Sequence, residues 1–139
     1  MWIVAAIFSA FFAGVTAILS KCGIKNTNSD VATAVRTSVV LVMAWLIVFI
    51  TGAYAEITTI SARSWIFLVL SGLATGASWL CYYYAIRQGQ VSVVVPIDRL
   101  SILVTVTFSL IVFKEKLSVK AWIGLALLIA GTVCMAVFT

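Results

Sequence analysis

Long apolar runs separated by short polar segments take up almost all of the chain. A helix needs about 20 apolar residues to cross the roughly 30 Å hydrocarbon core of a bilayer. Five runs come close to that length, at residues 2–20, 31–51, 65–85, 91–113 and 121–138. The pattern predicts an all-α integral membrane protein with five transmembrane helices, forming a single transmembrane domain over residues 1–139.

Composition narrows the function classes. Hydrophobic residues make up 64% of the chain and charged residues 9%, which is more apolar surface than a soluble domain of this size buries. The chain has no histidine, and its three cysteines lack the spacing of metal ligands. We therefore expect no metal, no cofactor and no enzymatic activity. The net charge of +5 is spread along the loops, which favours contact with membrane lipid over nucleic acid.

Three ionisable residues interrupt the apolar runs. Arg36 lies in the second predicted helix, and Asp98 and Arg99 lie in the fourth. These helices cross in the same direction, so all three charges are expected about 8–12 Å below one membrane surface. Pro96 frees the carbonyl of Ser92 and predicts a break in the fourth helix. Charges at this depth are costly and indicate a functional site by default.

Helical geometry limits how these charges pair. Asp98 and Arg99 are adjacent, so their side chains diverge by about 100°. We expect Asp98 to pair with Arg36, or with Arg99 of a second subunit, leaving one positive charge that favours an anionic or zwitterionic solute. Asp98 is the one carboxylate inside a predicted helix and therefore the candidate group for coupling to protons. The alternative is structural: both arginines extend to the headgroups, and Asp98 only balances them.

Aromatic residues cluster near the end of the third predicted helix. Trp79 shares a face with Thr75, Gly76 and Tyr83. A rigid aromatic side chain beside small residues and hydroxyl groups can line a substrate cavity, so Trp79, Tyr83 and Thr75 join the candidate site. The alternative, an aromatic belt at the headgroup level without a ligand, applies to Tyr84 and Tyr82, because Trp79 lies deeper.

Glycine pairs mark one face on each of two helices. Gly72 and Gly76 are four residues apart, and Gly124 and Gly131 are seven apart. Small residues at helical spacing let two helices approach closely in lipid. We expect a dimer seam on the fifth helix, with packing inside one chain as the alternative, especially for the third helix.

Basic residues are almost evenly divided between the two sides of the membrane. Four lie on the side of the N-terminus, and three lie on the other side, or four with Arg36. The four are Arg63, Lys114, Lys116 and Lys120, and the three are Lys21, Lys25 and Arg87. Because basic loops stay in the cytoplasm, this balance predicts insertion in both orientations and an antiparallel homodimer. The alternative is one orientation, determined by features other than loop charge.

Several short motifs follow one another along the second half of the chain. They are Tyr84-Ala85-Ile86, Ser92 through Pro96, Phe113-Lys114-Glu115-Lys116-Leu117, Ile123-Gly124 and Gly131. Together with Arg36 early in the second helix, this order resembles the EamA half-repeat of the drug/metabolite transporter superfamily, over all five helices.

The resemblance implies a half-transporter. Most EamA proteins contain two such repeats in opposite membrane orientation, so a chain with one repeat implies assembly with a second copy of itself. The small multidrug resistance proteins of the same superfamily also assemble as antiparallel dimers. They carry an essential glutamate in their first helix, whereas the first helix here has no carboxylate.

We therefore expect a secondary transporter of a small metabolite or drug-like solute. It is expected in the cell membrane as a multi-pass, antiparallel homodimer that works by alternating access. The alternative is a membrane assembly or regulatory subunit that transports nothing and whose intramembrane charges pair with a larger partner.

Overall fold

The computed structural model describes residues 1–138, which form helices joined by short connections and contain no strand. The elements in chain order are α1 (Trp2–Ile24), α2 (Ser29–Thr51), a 3₁₀ helix (Ala53–Thr59), α3 (Ala62–Gln88), α4 (Val91–Asp98), α5 (Ser101–Ile111) and α6 (Val119–Phe138).

Five helical segments are long and apolar enough to cross a membrane. Four of them are α1, α2, α3 and α6, and the fifth is formed by α4 and α5 together, over Val91–Ile111. In lipid every backbone N–H and C=O must be satisfied within the protein, and a helix achieves this inside one segment. The prediction of an all-α membrane protein with five transmembrane helices is confirmed.

The helices end at different residues from the apolar runs. The first helix continues to Ile24, beyond the expected end at residue 20, and α3 covers Ala62–Gln88 where 65–85 was expected. Polar residues at a membrane surface remain helical because water and headgroups satisfy the last carbonyls. The fourth span ends earlier, at Ile111, and the 3₁₀ helix lies in a segment that was expected to be a simple link.

The chain divides into two compact units. The central unit is Leu19–Arg87, and the terminal unit is Met1–Ile18 together with the chain from Gln88 onward. In the central unit the buried residues lie where α1 ends, α2 begins and α3 ends. They are Ile24, Ser29, Thr33, Tyr83 and Ile86.

The terminal unit is held by contact between α4 and α6. Its buried residues are Ala17 and Thr132, and the hydroxyl of Thr132 donates to the carbonyl of Leu128 at 2.9 Å. A buried hydroxyl that bonds its own helix removes the cost of leaving a polar group unsatisfied.

Most large apolar side chains point outward. No spanning segment has more than 6% of its most apolar stretch buried in the chain. Helices in lipid associate through packing and hydrogen bonds, since lipid tails are as apolar as the side chains themselves. The outward faces are therefore suited to lipid or to another membrane protein.

Gly52 turns the chain sharply between α2 and the 3₁₀ helix. Its φ is 73°, in the left-handed region, and its N–H points at the carbonyls of Val48 and Phe49. This ends α2 and brings the 3₁₀ helix back against it. A Cβ built on Gly52 meets no atom within 4 Å, so the demand for glycine is conformational and not steric.

Gly52→Ala is expected to lower the free energy of unfolding by about 1 kcal/mol or more, because an alanine in the left-handed region is strained. Denaturant unfolding of the purified protein in detergent measures this change.

Gly14→Ala is the matched control. Gly14 also has open space around a built Cβ, but it lies within α1 at an ordinary helical φ. Alanine is the better helix former there, so stability should stay the same or rise. Equal effects from the two substitutions would show that the turn at Gly52 does not need its positive φ.

Candidate functional site

Arg36 lies in α2, about 10 Å along the helix from its first residue. That helix begins at Ser29, and the side chain of Asn28 caps it by accepting a hydrogen bond from the N–H of Asp30 at 2.8 Å. The cap determines where α2 starts and therefore how deep Arg36 lies. The Arg36 side chain is half-buried.

Two aromatic rings of α3 lie against the guanidinium of Arg36. Its Cζ is 4.2 Å from the ring centroid of Trp79 and 5.5 Å from that of Tyr83. The rings are four residues apart and so share one face of α3. A guanidinium over an aromatic face is attracted by the ring quadrupole, by about 0.5–2 kcal/mol depending on solvation. The structure thus brings together three of the residues predicted for the site.

Tyr83 is held in place on several sides. It is only 3% exposed, its hydroxyl lies 2.9 Å from the Oγ of Ser20, and its ring packs edge-on against Tyr82. The Ser20 contact links α3 to the end of α1. The ring that supports Arg36 is therefore fixed by neighbours, which limits how far the guanidinium can move.

Lys21 is the second cation among these helix ends. Its Nζ donates to the carbonyl of Ile86 at 2.7 Å, and Ile86 is fully buried in the last turns of α3. A cation near the C-terminus of a helix is stabilised by the helix dipole. Together with the Ser20–Tyr83 contact, this bond joins α1 to α3 beside Arg36.

Sequence analysis missed Ser20 and Lys21 as site residues. Both lie at the end of the first apolar run, where a polar pair is typical of a membrane surface. The pattern contains no signal that their partners lie in α3, because those contacts join residues 63 and 65 positions apart.

The positive charge of Arg36 is not matched by a carboxylate inside the central unit. The acidic residues of this unit are Asp30 and Glu56, both exposed, and neither forms an ion pair with it within residues 19–87. A guanidinium stacked on a ring still has its in-plane N–H donors available. Those donors have the geometry that binds a carboxylate or phosphate through two parallel hydrogen bonds.

Thr75 lies one turn before Trp79 on α3 and is exposed. Its hydroxyl donates to the carbonyl of Ser71 at 2.8 Å. This bond satisfies the hydroxyl within its own helix, so the structure gives Thr75 no link to the Arg36, Trp79 and Tyr83 group.

Asp98 and Arg99 lie in the terminal unit, at the interruption between α4 and α5, and both are exposed. The N–H of Leu100 donates to the carbonyl of Ile97 and that of Ile102 to Arg99, so the junction is a tight turn of bonds three residues apart. The pairing of Asp98 with Arg36, or with Arg99 of a second subunit, stays a prediction.

The break in the fourth span comes later than Pro96. The α4 helix continues through Pro96 to Asp98, and the tight turn follows at Arg99 and Leu100. Asp98 is the last residue of α4 and Arg99 is its C-cap, so a negative charge lies at the C-terminal end of α4 and a positive charge lies two residues before α5 begins. The helix dipoles therefore do not explain this position, because each charge also lies beside a helix end of its own sign.

The glycine faces are open within the chain. A Cβ built on any of Gly72, Gly76, Gly124 or Gly131 meets no atom within 4 Å. Helices that approach closely at a glycine leave no such space. Within residues 1–138, these four glycines therefore do not mark a tight helix–helix contact.

The chain is similar to one transporter family and to two uncharacterized proteins. The EamA-like transporter family matches residues 1–137. A protein of Sinorhizobium sp. described as an uncharacterized transporter in the cobO 3′ region is 44% identical over 137 residues, covering 99% of this chain and 97% of that protein. An uncharacterized protein of Methanocaldococcus jannaschii is 26% identical over 102 residues, covering 67% of this chain and 74% of that one. No solved structure matches the chain.

Five helices able to cross a membrane agree with this match, and the family accounts for nearly the whole length of the protein. The resemblance inferred from the motifs is confirmed. The chain is a multi-pass membrane protein that belongs to the EamA-like transporter family.

Proposed function

We propose that the protein is a secondary transporter of a small anionic or zwitterionic solute, and that Arg36 is its recognition group. The observation that carries this proposal is the stacked guanidinium, held on Trp79 at 4.2 Å and paired with no carboxylate of the central unit. A solute carboxylate or phosphate that accepts from Arg36 supplies the missing negative charge. Trp79 and Tyr83 keep the guanidinium plane oriented while the solute changes.

The working unit in this proposal is an antiparallel homodimer. The chain has one five-helix unit, and the Sinorhizobium relative is of nearly the same length, because the match covers 97% of it. Outward-facing apolar helices and the open glycines of α3 and α6 leave faces for a second copy. The balanced loop charges favour opposite orientations of the two copies in the cell membrane.

Opposite orientation leads directly to alternating access. Two identical chains related by an axis in the membrane plane can exchange conformations, so that the site opens first to one side and then to the other. In this mechanism Asp98 carries the coupling proton, and its position at a break between two half-helices suits a group that must change its surroundings during transport.

Arg36→Gln is expected to lower uptake by proteoliposomes by about tenfold or more, since hydrogen bonds to a charged group contribute about 1.5–3 kcal/mol. A thermal-shift screen of amino acids, organic acids, nucleotides and quaternary amines identifies the solute to use. Arg36→Lys keeps the charge but loses the planar fork, so it should recover only part of the uptake.

Arg63→Gln is the matched control, because the Cζ of Arg63 also lies over a ring, 5.8 Å from the centroid of Phe67, but away from Arg36. Its uptake should equal that of the unmodified protein. Equal losses from Arg36→Gln and Arg63→Gln would contradict a recognition role for Arg36. No uptake of any screened solute by the pure protein would instead favour the alternative of an assembly subunit that transports nothing.

Asp98→Asn is expected to abolish uptake driven by a pH gradient and to leave uptake down the solute gradient, with the helical content unchanged. The substitution keeps the size of the side chain and removes the titratable group. Proteoliposomes with and without an imposed pH gradient separate the two activities. Asp30→Asn, at the exposed first turn of α2, is the control. If Asp98→Asn retains the wild-type rate and pH profile, Asp98 does not couple transport to protons.

Asn26→Cys tests dual insertion. Asn26 lies in the connection between α1 and α2, and its replacement changes no charge. The natural cysteines Cys22, Cys81 and Cys134 are free and exposed, so they are first replaced by serine. We expect a membrane-impermeant maleimide to label part of the protein in intact cells and the rest only after the cells are opened. Labelling from one side alone would rule out the antiparallel arrangement.

A further inference from the structure

A groove of about 570 Å³ lies in the central unit, where the end of α2, the 3₁₀ helix and the start of α3 meet. It shares no lining residue with the Arg36 site. The lining residues are Trp45, Val48, Ala53, Glu56, Ile57, Thr59, Ile60, Ser61, Ser64 and Leu68. Its volume falls within the range of about 300–1,000 Å³ that small-molecule sites occupy.

The groove is lined by both apolar and polar side chains. The two spanning helices contribute apolar side chains, such as Trp45 and Val48 from α2 and Leu68 from α3. The connection contributes the carboxylate of Glu56 and the hydroxyls of Thr59 and Ser61, as well as apolar residues, and α3 contributes the hydroxyl of Ser64. The apolar residues of the connection are Ala53, Ile57 and Ile60. The groove is therefore mostly apolar, and its carboxylate and hydroxyls lie in the connection and in the first turn of α3.

Aromatic side chains indicate that the groove lies at the membrane boundary. The rings of Trp45 and Phe49 are 6.2 Å apart, and those of Phe49 and Tyr54 are 6.1 Å apart, so they form a series from α2 into the 3₁₀ helix. Tryptophan and tyrosine concentrate at the headgroup level of bilayers. A ligand in the groove meets both acyl chains and headgroups.

Glu56 gives the groove its charge. Its side chain is exposed, and within residues 19–87 its carboxylate forms no ion pair. The other polar side chains of the groove are hydroxyls of Thr59, Ser61 and Ser64, which carry no charge. The polar part is thus a negative site with hydroxyl groups beside it.

We propose that this groove binds a phospholipid with a primary ammonium headgroup, of the phosphatidylethanolamine type. The ammonium donates to the Glu56 carboxylate and to neighbouring hydroxyl oxygens, which suits its three donors. The Ser64 hydroxyl accepts a hydrogen bond from Ser61 and keeps its own proton, which in this proposal it donates to the phosphodiester. One acyl chain follows the apolar side chains of α2 and α3.

Charge separates this site from ordinary lipid contact. The chain has a net charge of +5, so its loops as a whole attract anionic lipids. This net charge favours an anionic lipid over a zwitterionic ammonium lipid. A preference for the ammonium lipid therefore requires a local carboxylate. Within residues 19–87, Glu56 is the carboxylate that lines this groove.

The test measures which lipids stay bound to the purified, full-length protein. Protein in vesicles of equal parts phosphatidylethanolamine and phosphatidylglycerol is extracted into mild detergent, and bound lipid is counted by native mass spectrometry. We expect Glu56→Gln to lower the bound phosphatidylethanolamine by about two- to five-fold, the range for an exposed ion pair, without lowering phosphatidylglycerol. Glu56→Asp keeps the charge and should retain the preference.

Glu115→Gln is the matched control, since it makes the same chemical change in the segment between α5 and α6. A phosphatidylethanolamine with a photoreactive acyl chain should crosslink to the segments that contain Trp45 and Leu68, and water-soluble phosphoethanolamine should not prevent this. Equal losses from Glu56→Gln and Glu115→Gln, or labelling elsewhere, would overturn the proposal. If water-soluble phosphoethanolamine displaces the lipid, the ligand of the groove is a free amine and the lipid proposal is wrong. The readout does not depend on transport, so it is independent of the proposed solute.

Discussion

The cost of placing a charge in a membrane is the constraint on which this structure depends. Lipid offers no hydrogen bonds to backbone or side chains, so the chain satisfies its backbone within five helical spans. Arg36 therefore requires a local partner. Its Cζ lies 4.2 Å from the ring centroid of Trp79 on α3, so an aromatic face is that partner. An aromatic partner stabilises the cation without neutralising it, which keeps the guanidinium able to bind an anion.

The helix ends around Arg36 determine how well this arrangement is held. Tyr83 is buried and its hydroxyl contacts Ser20, and Lys21 donates to the carbonyl of Ile86. These two polar contacts join the end of α1 to the end of α3. The cap at Asn28 positions the start of α2 in the same part of the central unit. Few side chains are buried among residues 1–138, and most of the buried ones lie in this region.

The fourth span uses its charges differently. Asp98 is the last residue of α4 and Arg99 follows it, so both charges lie at the turn between α4 and α5. An interruption in a span leaves backbone groups without α-helical partners, and here the N–H groups of Leu100 and Ile102 donate to carbonyls three residues back. In the proposed mechanism Asp98 couples transport to protons because it lies at this interruption.

The fold class, the family and part of the candidate site could be predicted from the sequence. Hydropathy determined the five spans, because 20-residue apolar runs have no other stable arrangement in a bilayer, and the motif order identified the family. The positions of Arg36, Trp79 and Tyr83 on their helices were also readable from helical periodicity. Tertiary structure alone decided that the guanidinium of Arg36 stacks on these rings, that Ser20 and Lys21 contact α3, and that the fourth span turns at Arg99 and Leu100 instead of at Pro96. Periodicity describes one helix at a time, whereas these contacts depend on how separate helices meet and on the backbone hydrogen bonds of the turn between α4 and α5.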